Sequence, residues 1–490
     1  MSEQKSLKKN AVLNTVKTFL ALCFPLITFP YSSRILGPEN LGKVNFAQSI
    51  VSYFAIFASL GISTYATREA AKVRENQNQL NKVCKEIFTI NMIATVISYI
   101  ALAISLCFIK KLYYYRELII ICSSLILFTS IGMGWLYQAL EDYLYITIRS
   151  IGFQILSIIM LFTLVKSKDD YLWYAAINII SNVGANIFNF IHSRKFISFS
   201  ISEKLELKKH LKPIFILFAS AIAGTICSSI DTTMLGFMSN DTEVGLYSAG
   251  LKIVKMVQHL FPAIIIVIFP RISYYIANND QESINKLIKK TIDSLICFAL
   301  PITLGIMLLI KPLVMIFCGE AYIRAIPVSQ IMSPYIILTA LSGFFSGNLL
   351  IAFGKEKVTL IGIIISSIID IVLNTLLIPL YGAYGAGTAT LIAEFSLLLF
   401  TIIYLRQKLS KLKTLKSTFQ FFLSTAIMSL IIVLLKNFID NLFLELFVCT
   451  FIAIIVYVLC LRNRRHQYKH IPTFFNRHMI SASSRYIELT

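Results

Sequence analysis

Lys252, Lys255 and His259 recur at i, i+3 and i+7 inside an otherwise apolar stretch, which puts two cations and a titratable ring on one face of a helix. In hydrocarbon an unpaired charge costs about 2.5–3.5 kcal/mol on the scale derived from membrane insertion. Such a face therefore asks for acidic partners or an anionic ligand. Lys17 in the first apolar run, Arg34 at its far end and Arg149 near the start of the fifth run add further positive charge. Asp231, Asp370 and Glu394 are candidate carboxylates inside apolar runs, with Asp293 nearer a cytoplasmic end, and static pairing of an acid with Lys252 or Lys255 is the plainer alternative to a bound anion.

Uncharged polar residues fall into stripes at helical spacing. The second run has Asn45, Gln48, Ser49 and Ser52; the sixth has Asn178, Asn182, Asn186 and Asn189. The seventh has Gly224, Ser228 and Asp231, and the eleventh has Ser366, Ser367, Asp370 and Asn374. Polar groups that persist among apolar ones either hydrogen-bond to a neighbouring helix or face a wet cavity. Stripes from both halves of the chain predict one central cavity with wet faces turned towards each other.

The elements that must carry these faces follow from composition. Of 490 residues, 57% are hydrophobic and 14% charged, against roughly 45–50% and 25% in a soluble domain. Apolar runs of about 18 residues or more, enough to cross a bilayer as a helix, recur from end to end. They predict an all-α integral membrane protein of about fourteen transmembrane helices. Lys and Arg gather in alternate loops, for example Arg68, Lys72 and Arg74, then Lys204, Lys208 and Lys209, then Lys286, Lys289 and Lys290. By the positive-inside rule both termini are expected to be cytoplasmic. The net charge of +20 is spread over these loops and the tail, where anionic lipid headgroups are the expected partner. No basic domain suited to nucleic acid is present. Nine scattered Cys without a C-x-x-C pair read as small apolar residues, and the first run reads as a retained helix rather than a signal peptide.

The stretch "RILGPENLGKV" at 34–44 has a counterpart in "TMLGFMSNDTEVGLY" at 233–247. Leu36-Gly37 matches Leu235-Gly236, Gly42 matches Gly245, and the interval from Gly42 to Arg68 equals that from Gly245 to Arg271. That is the trace of a duplicated bundle. Two six-helix bundles related by a pseudo-two-fold axis are expected, residues 1–212 and 213–410, with two appended spans and a basic tail at 411–490. A six-span offset brings both halves in from the same side. The first stretch also mimics a phosphate-binding P-loop, but Val44 stands where that motif needs Ser or Thr. Its glycines read as an outer turn between helices. Pro25 and Pro30, with Pro262 and Pro270, mark helices where a kink could serve as a gate or as fixed curvature. H-E-x-x-H, G-x-S-x-G and paired-carboxylate patterns are absent, so neither an enzyme, a cofactor nor a metal site is expected.

Longer stretches carry a family likeness. "GWLYQALEDYLYITIRS" (134–150), "LVKSKDDYLWYAAINIISNVGANIFNF" (164–190), "CGEAYIRAIPVSQIMSP" (318–334), "IAFGKEK" (351–357) and "IPLYGAYGAGTATLIAE" (378–394) resemble the Wzx-type polysaccharide repeat-unit flippases. These belong to the superfamily shared with multidrug extruders and the peptidoglycan-precursor flippase. The resemblance implies movement of undecaprenyl-pyrophosphate-linked oligosaccharide from the inner to the outer leaflet of a bacterial cytoplasmic membrane. It implies alternating access powered by an ion gradient, with Asp231, Asp370 and Glu394 as the candidate coupling groups. A polysaccharide polymerase and other assembly proteins would be partners. Basic residues of the first, second and eighth spans hold the diphosphate in related flippases; Lys17, Lys252 and Lys255 fit by position, and Arg34, Arg149 and His259 are further candidates. The second span offers Gln48 and Ser49 where a base would be expected. A cation exporter or a peptidoglycan-precursor flippase of the same superfamily remain the alternatives.

Overall fold

The computed structural model describes residues 7–198, 205–259, 261–409 and 415–462, and every element among them is helical. The first half runs through α1 (Leu7–Ser59), α2 (Ile62–Lys72), α3 (Gln77–Phe108), α4 (Arg116–Ile131), α5 (Tyr143–Leu164), α6 (Tyr171–Ile179) and α7 (Asn186–Ser193). The second runs through α8 (Lys208–Met238), α9 (Asp241–Gln258), α10 (Phe261–Ala277), α11 (Gln281–Phe317), α12 (Ala325–Met332), α13 (Tyr335–Phe344), α14 (Glu356–Tyr381) and α15 (Ala383–Leu409). Two further helices follow, α16 (Leu415–Leu435) and α17 (Leu442–Arg462).

Eleven helices among the described residues are long and apolar enough to cross a membrane. The expectation of about fourteen differs for identifiable reasons. Runs 11–31 and 44–66 share one helical segment, bent at Gly37. The sixth run is interrupted by a π turn at Ile180–Gly184, and the eighth parts between α9 and α10. In α1 the non-helical residue is Gly37 (φ 71°, ψ 175°), not Pro25 or Pro30. A positive φ suits glycine, and Pro38 directly after it suits the first turn of the helix that follows.

The helices are inside-out by the standards of a soluble protein. Along α3, Ile93, Ile97, Ile100 and Ile104 are exposed, whereas Asn91, Thr95 and Ser98 are buried. Each buried polar group finds a partner on a neighbour: Asn91 donates to the Ala58 carbonyl (2.7 Å), Ser98 to the Phe54 carbonyl (2.6 Å) and Thr95 to Ser130 Oγ (2.6 Å). With lipid as solvent the apolar face costs nothing outside, and hydrogen bonds and close packing join helix to helix.

α1 packs on α3, α4 and α5 from the first half and on α8 and α9 from the second. α8 packs on α14, and α9 on α12 and α15; α16 and α17 lie on α11, where Tyr457 donates to the Cys297 carbonyl (2.7 Å). The connection between the halves is tied down at one fully buried carboxylate. Glu86 accepts from the Glu206 amide (2.8 Å) and contacts His210 Nε2 (2.8 Å) and Lys209 Nζ (2.9 Å). Tyr65 of α2 holds the other ring nitrogen of His210 at 2.7 Å.

Candidate functional site

A cavity of about 780 Å³ lies between α1 on one side and α8 and α9 on the other. α1 contributes Pro25, Phe29, Asn45, Gln48 and Ser49; α8 contributes Ser228, Ser229 and Thr232; α9 contributes Ser248, Lys252 and Lys255, with His259 at its end. The i, i+3, i+7 face read from the sequence thus meets the polar stripe of the second run across one space. Hydroxyls join the two walls, Ser52 to Ser229 (3.3 Å) and Thr233 to Ser49 (2.9 Å). No Asp or Glu is among the described residues that line the cavity, and neither lysine is ion-paired among them. Lys252 Nζ stands 4.3 Å from the centre of the Phe29 ring. A cation on an aromatic face keeps its charge available to an anion.

One end of the cavity is shut by backbone. A Cβ placed on Gly42 would overlap the Asp241 carbonyl, one on Gly245 would overlap the Pro38 carbonyl, and one on Gly236 would overlap the Phe46 ring. Tyr115 adds a hydrogen bond to Asp241 Oδ1 (2.6 Å). On the same side Glu243, buried, accepts from Arg324 (2.6 Å) and from the Ala383 amide (2.9 Å). One carboxylate therefore joins the stretches "NDTEVG", "YIRAIP" and "YGAYGAG".

The intramembrane acids form a separate centre, off the cavity. Asp231 Oδ1 accepts from Asn374 (2.7 Å), and its Oδ2 accepts from Tyr247 (2.7 Å) and Thr390 (3.0 Å). Asp370 lies beside Asp231, close enough for the two carboxylates to interact, and its Oδ1 is buried without a hydrogen-bond partner. Glu394 bonds to Ser342 instead. Asp231, Asp370 and Glu394 are therefore not ion-paired with Lys252 or Lys255, although Asp231 lies near enough to act on Lys255 electrostatically. α8 touches both centres: Ser228, Ser229 and Thr232 face the cavity, while Asp231 faces α9, α14 and α15.

Other sequence expectations do not converge here. Arg149 does not line the cavity; its guanidinium carbon lies 5.6 Å from the Tyr145 ring centre, with Nε and Nη1 buried and unbonded. Arg34 also lies outside the cavity, donating to the Ile316 carbonyl (2.6 Å). Lys17 is within α1, but its side chain lies outside the described residues. The asparagines of the sixth run bond along their own helix, Asn178 to the Tyr174 carbonyl (3.1 Å) and Asn182 to the Asn178 carbonyl (2.9 Å). The eleventh run turns its stripe into the second half: Ser366 donates to the Ala393 carbonyl (2.7 Å) and Asn374 to Asp231. Tyr247, Thr390 and Phe29 are the functional candidates that sequence reading missed. Thr390 was visible only as part of the packing motif "YGAYGAGTAT".

Helices laid out in this way around a cavity whose described lining carries lysines and no carboxylate make a multi-pass membrane protein with an internal chamber. The profile of the family described as polysaccharide biosynthesis protein matches residues 7–276, more than half of the chain, and the chain belongs to that family. Over 410 residues it is 27% identical to an Escherichia coli (strain K12) protein named as a candidate O-antigen transporter, covering 82% of this chain and 97% of that one. Among solved structures, a lipid II flippase in an inward closed conformation superposes with a TM-score of 0.70 at 17% identity, covering 96% and 100%. An inward-facing multidrug transporter of the MATE family follows at 0.63 and 13%, covering 82% and 99%. At these identities the two structures speak for the fold.

Proposed function

We propose that this protein is a flippase that carries lipid-linked polysaccharide repeat units across the bacterial cytoplasmic membrane. The observation that carries the reading is the cavity itself, two unpaired lysines and a histidine facing amides and hydroxyls, with no carboxylate among the described lining residues. A pyrophosphate linking a polyprenyl carrier such as undecaprenol to the glycan would meet Lys252 and Lys255. The sugars would lie against Asn45, Gln48, Ser49, Ser228 and Thr232, and the chain of the carrier in lipid. Lys17 is a further candidate for the diphosphate by its place in the first run. A cation exporter needs an acidic chamber, and the absence of acid from this lining weighs against it.

Residues 1–212 and 213–410 would act as the two moving lobes, with 411–490 appended and both termini cytoplasmic. Contact between Gly42 and Gly245 corresponds to a state closed on the outer side. Asp231 and Asp370, with Glu394 nearby in the same half, would couple transport to an ion gradient, because two touching carboxylates hold either a shared proton or a cation between them. α8 would transmit that occupancy to the cavity wall. A polysaccharide polymerase and other assembly proteins would take the product at the outer leaflet.

The test is to delete the gene and follow surface glycan and lipid-linked intermediates together. Loss of glycan with complete repeat units retained on the cytoplasmic leaflet is expected. Unchanged glycan combined with new sensitivity to cationic drugs would replace this reading with the exporter.

A further inference from the structure

A second recess, of about 580 Å³, lies near the Gly37 turn and apart from the cavity. Arg34 of α1, Glu320 from the turn Glu320–Tyr322, and Asp440 and Asn441 from the connection between α16 and α17 line it, beside Leu442 and Phe443. Arg34 spends one N–H on the Ile316 carbonyl, and its stem passes so close to Gly319 that a Cβ there would stand 3.3 Å from Arg34 Cγ. Among the described residues neither Glu320 nor Asp440 has an ion pair or a side-chain hydrogen bond, and Arg34 has no ion pair. Three charges of both signs thus face one space without using one another.

The chemistry that fits carries both signs too. A simple anion would meet two carboxylates beside its one guanidinium, and a simple cation would meet the guanidinium. Phe443 of the lining is 57% exposed, and Phe438, two residues before Asp440 in the chain, is 84% exposed. Exposed Phe rings favour hydrocarbon and charged turn residues favour water, so a recess that has both lies at the membrane–water boundary. We propose that this recess binds the headgroup of an amine-bearing phospholipid, with phosphate on Arg34, ammonium between Glu320 and Asp440, and acyl chains along Phe438 and Phe443. Arg34 belongs to the first half of the chain and the two carboxylates to the rest, so the lipid bridges them beside the closed end of the cavity. The site is independent of what the cavity carries.

The experiment is native mass spectrometry of the purified full chain after exchange against phosphatidylethanolamine, phosphatidylglycerol or phosphatidylcholine. Phosphatidylethanolamine should be retained over phosphatidylglycerol by about fivefold, the size expected of two partly exposed ion pairs. Glu320→Gln and Asp440→Asn should each reduce that preference with the thermal transition unchanged, and Arg34→Gln should lower the retention of both lipids alike. Equal retention of the two lipids by the parent protein, or an undiminished preference in both carboxylate variants, would overturn the proposal. Soluble phosphoethanolamine held as tightly as the lipid would overturn the assignment to a membrane lipid.

Discussion

Gly42 and Gly245 press backbone against backbone, each where the other half of the molecule leaves no room for a Cβ. They occupy matching places in the two internal repeats. What sequence shows as a repetition is in space a contact between the two stretches.

Gly245→Val should hold that end open. Overpacking of such a contact costs about 1–3 kcal/mol, enough to shift a balance between closed and open forms. A cysteine placed at Ser248, on the cavity wall, should then react several-fold faster with a membrane-impermeant maleimide added from outside. An unchanged rate would show that the glycine contact does not govern access.

Lys252 and Lys255 are expected to bind ligand without holding the fold together, since neither is ion-paired among the described residues. Replacing both by Gln should weaken binding of a fluorescent prenyl diphosphate by about 10- to 100-fold, as the loss of a charge-assisted contact predicts. The melting temperature should move little. A large fall in melting temperature with binding intact would reverse the assignment.

Asp231 and Asp370 should separate by variant. Asp231→Asn leaves the buried donors of Tyr247 and Thr390 facing an amide, at about 1–3 kcal/mol for an unsatisfied group, so the protein should melt lower. Asp370→Asn can still donate to Asp231, so its fold should survive while transport stops responding to collapse of the ion gradient. Flipping by Asp370→Asn that follows the gradient as in the parent protein would exclude this pair from coupling.

Glu86 offers a test of structure alone. It is fully buried and ties together the Glu206 amide, His210 and Lys209. Breaking a buried ion pair costs about 3–5 kcal/mol, and the partial exposure of Lys209 places Glu86→Ala below the top of that range. The variant should unfold at lower temperature, yet bind the prenyl diphosphate normally once folded. A normal melting curve would mean that the connection between the halves is held elsewhere.

Much of the cavity was legible because it rests on local spacing. Lys252, Lys255 and His259 share a face as soon as their stretch is a helix, and Asn45, Gln48, Ser49 and Ser52 share another. Arg149 and Arg34 show the limit: each lies in or beside an apolar run, yet one turns to an aromatic ring and the other to a carbonyl beyond the cavity. Spacing states which residues share a helix face, not which neighbour that face meets.

The sequence by itself determined an all-helical membrane protein and the faces on which its polar residues lie, because bilayer thickness and the 3.6-residue turn act on each segment independently. Only the tertiary structure decided which faces look into the cavity. The stripe of α14 turned inward to Asp231 and that of α6 and α7 bonded along its own helix, while the stripes of α1 and α9 met across open space. The physical reason is that lipid does not sort polar faces among themselves: a buried polar group is satisfied equally by a cavity, a neighbouring helix or its own backbone, and only the packing of all the helices together selects among the three.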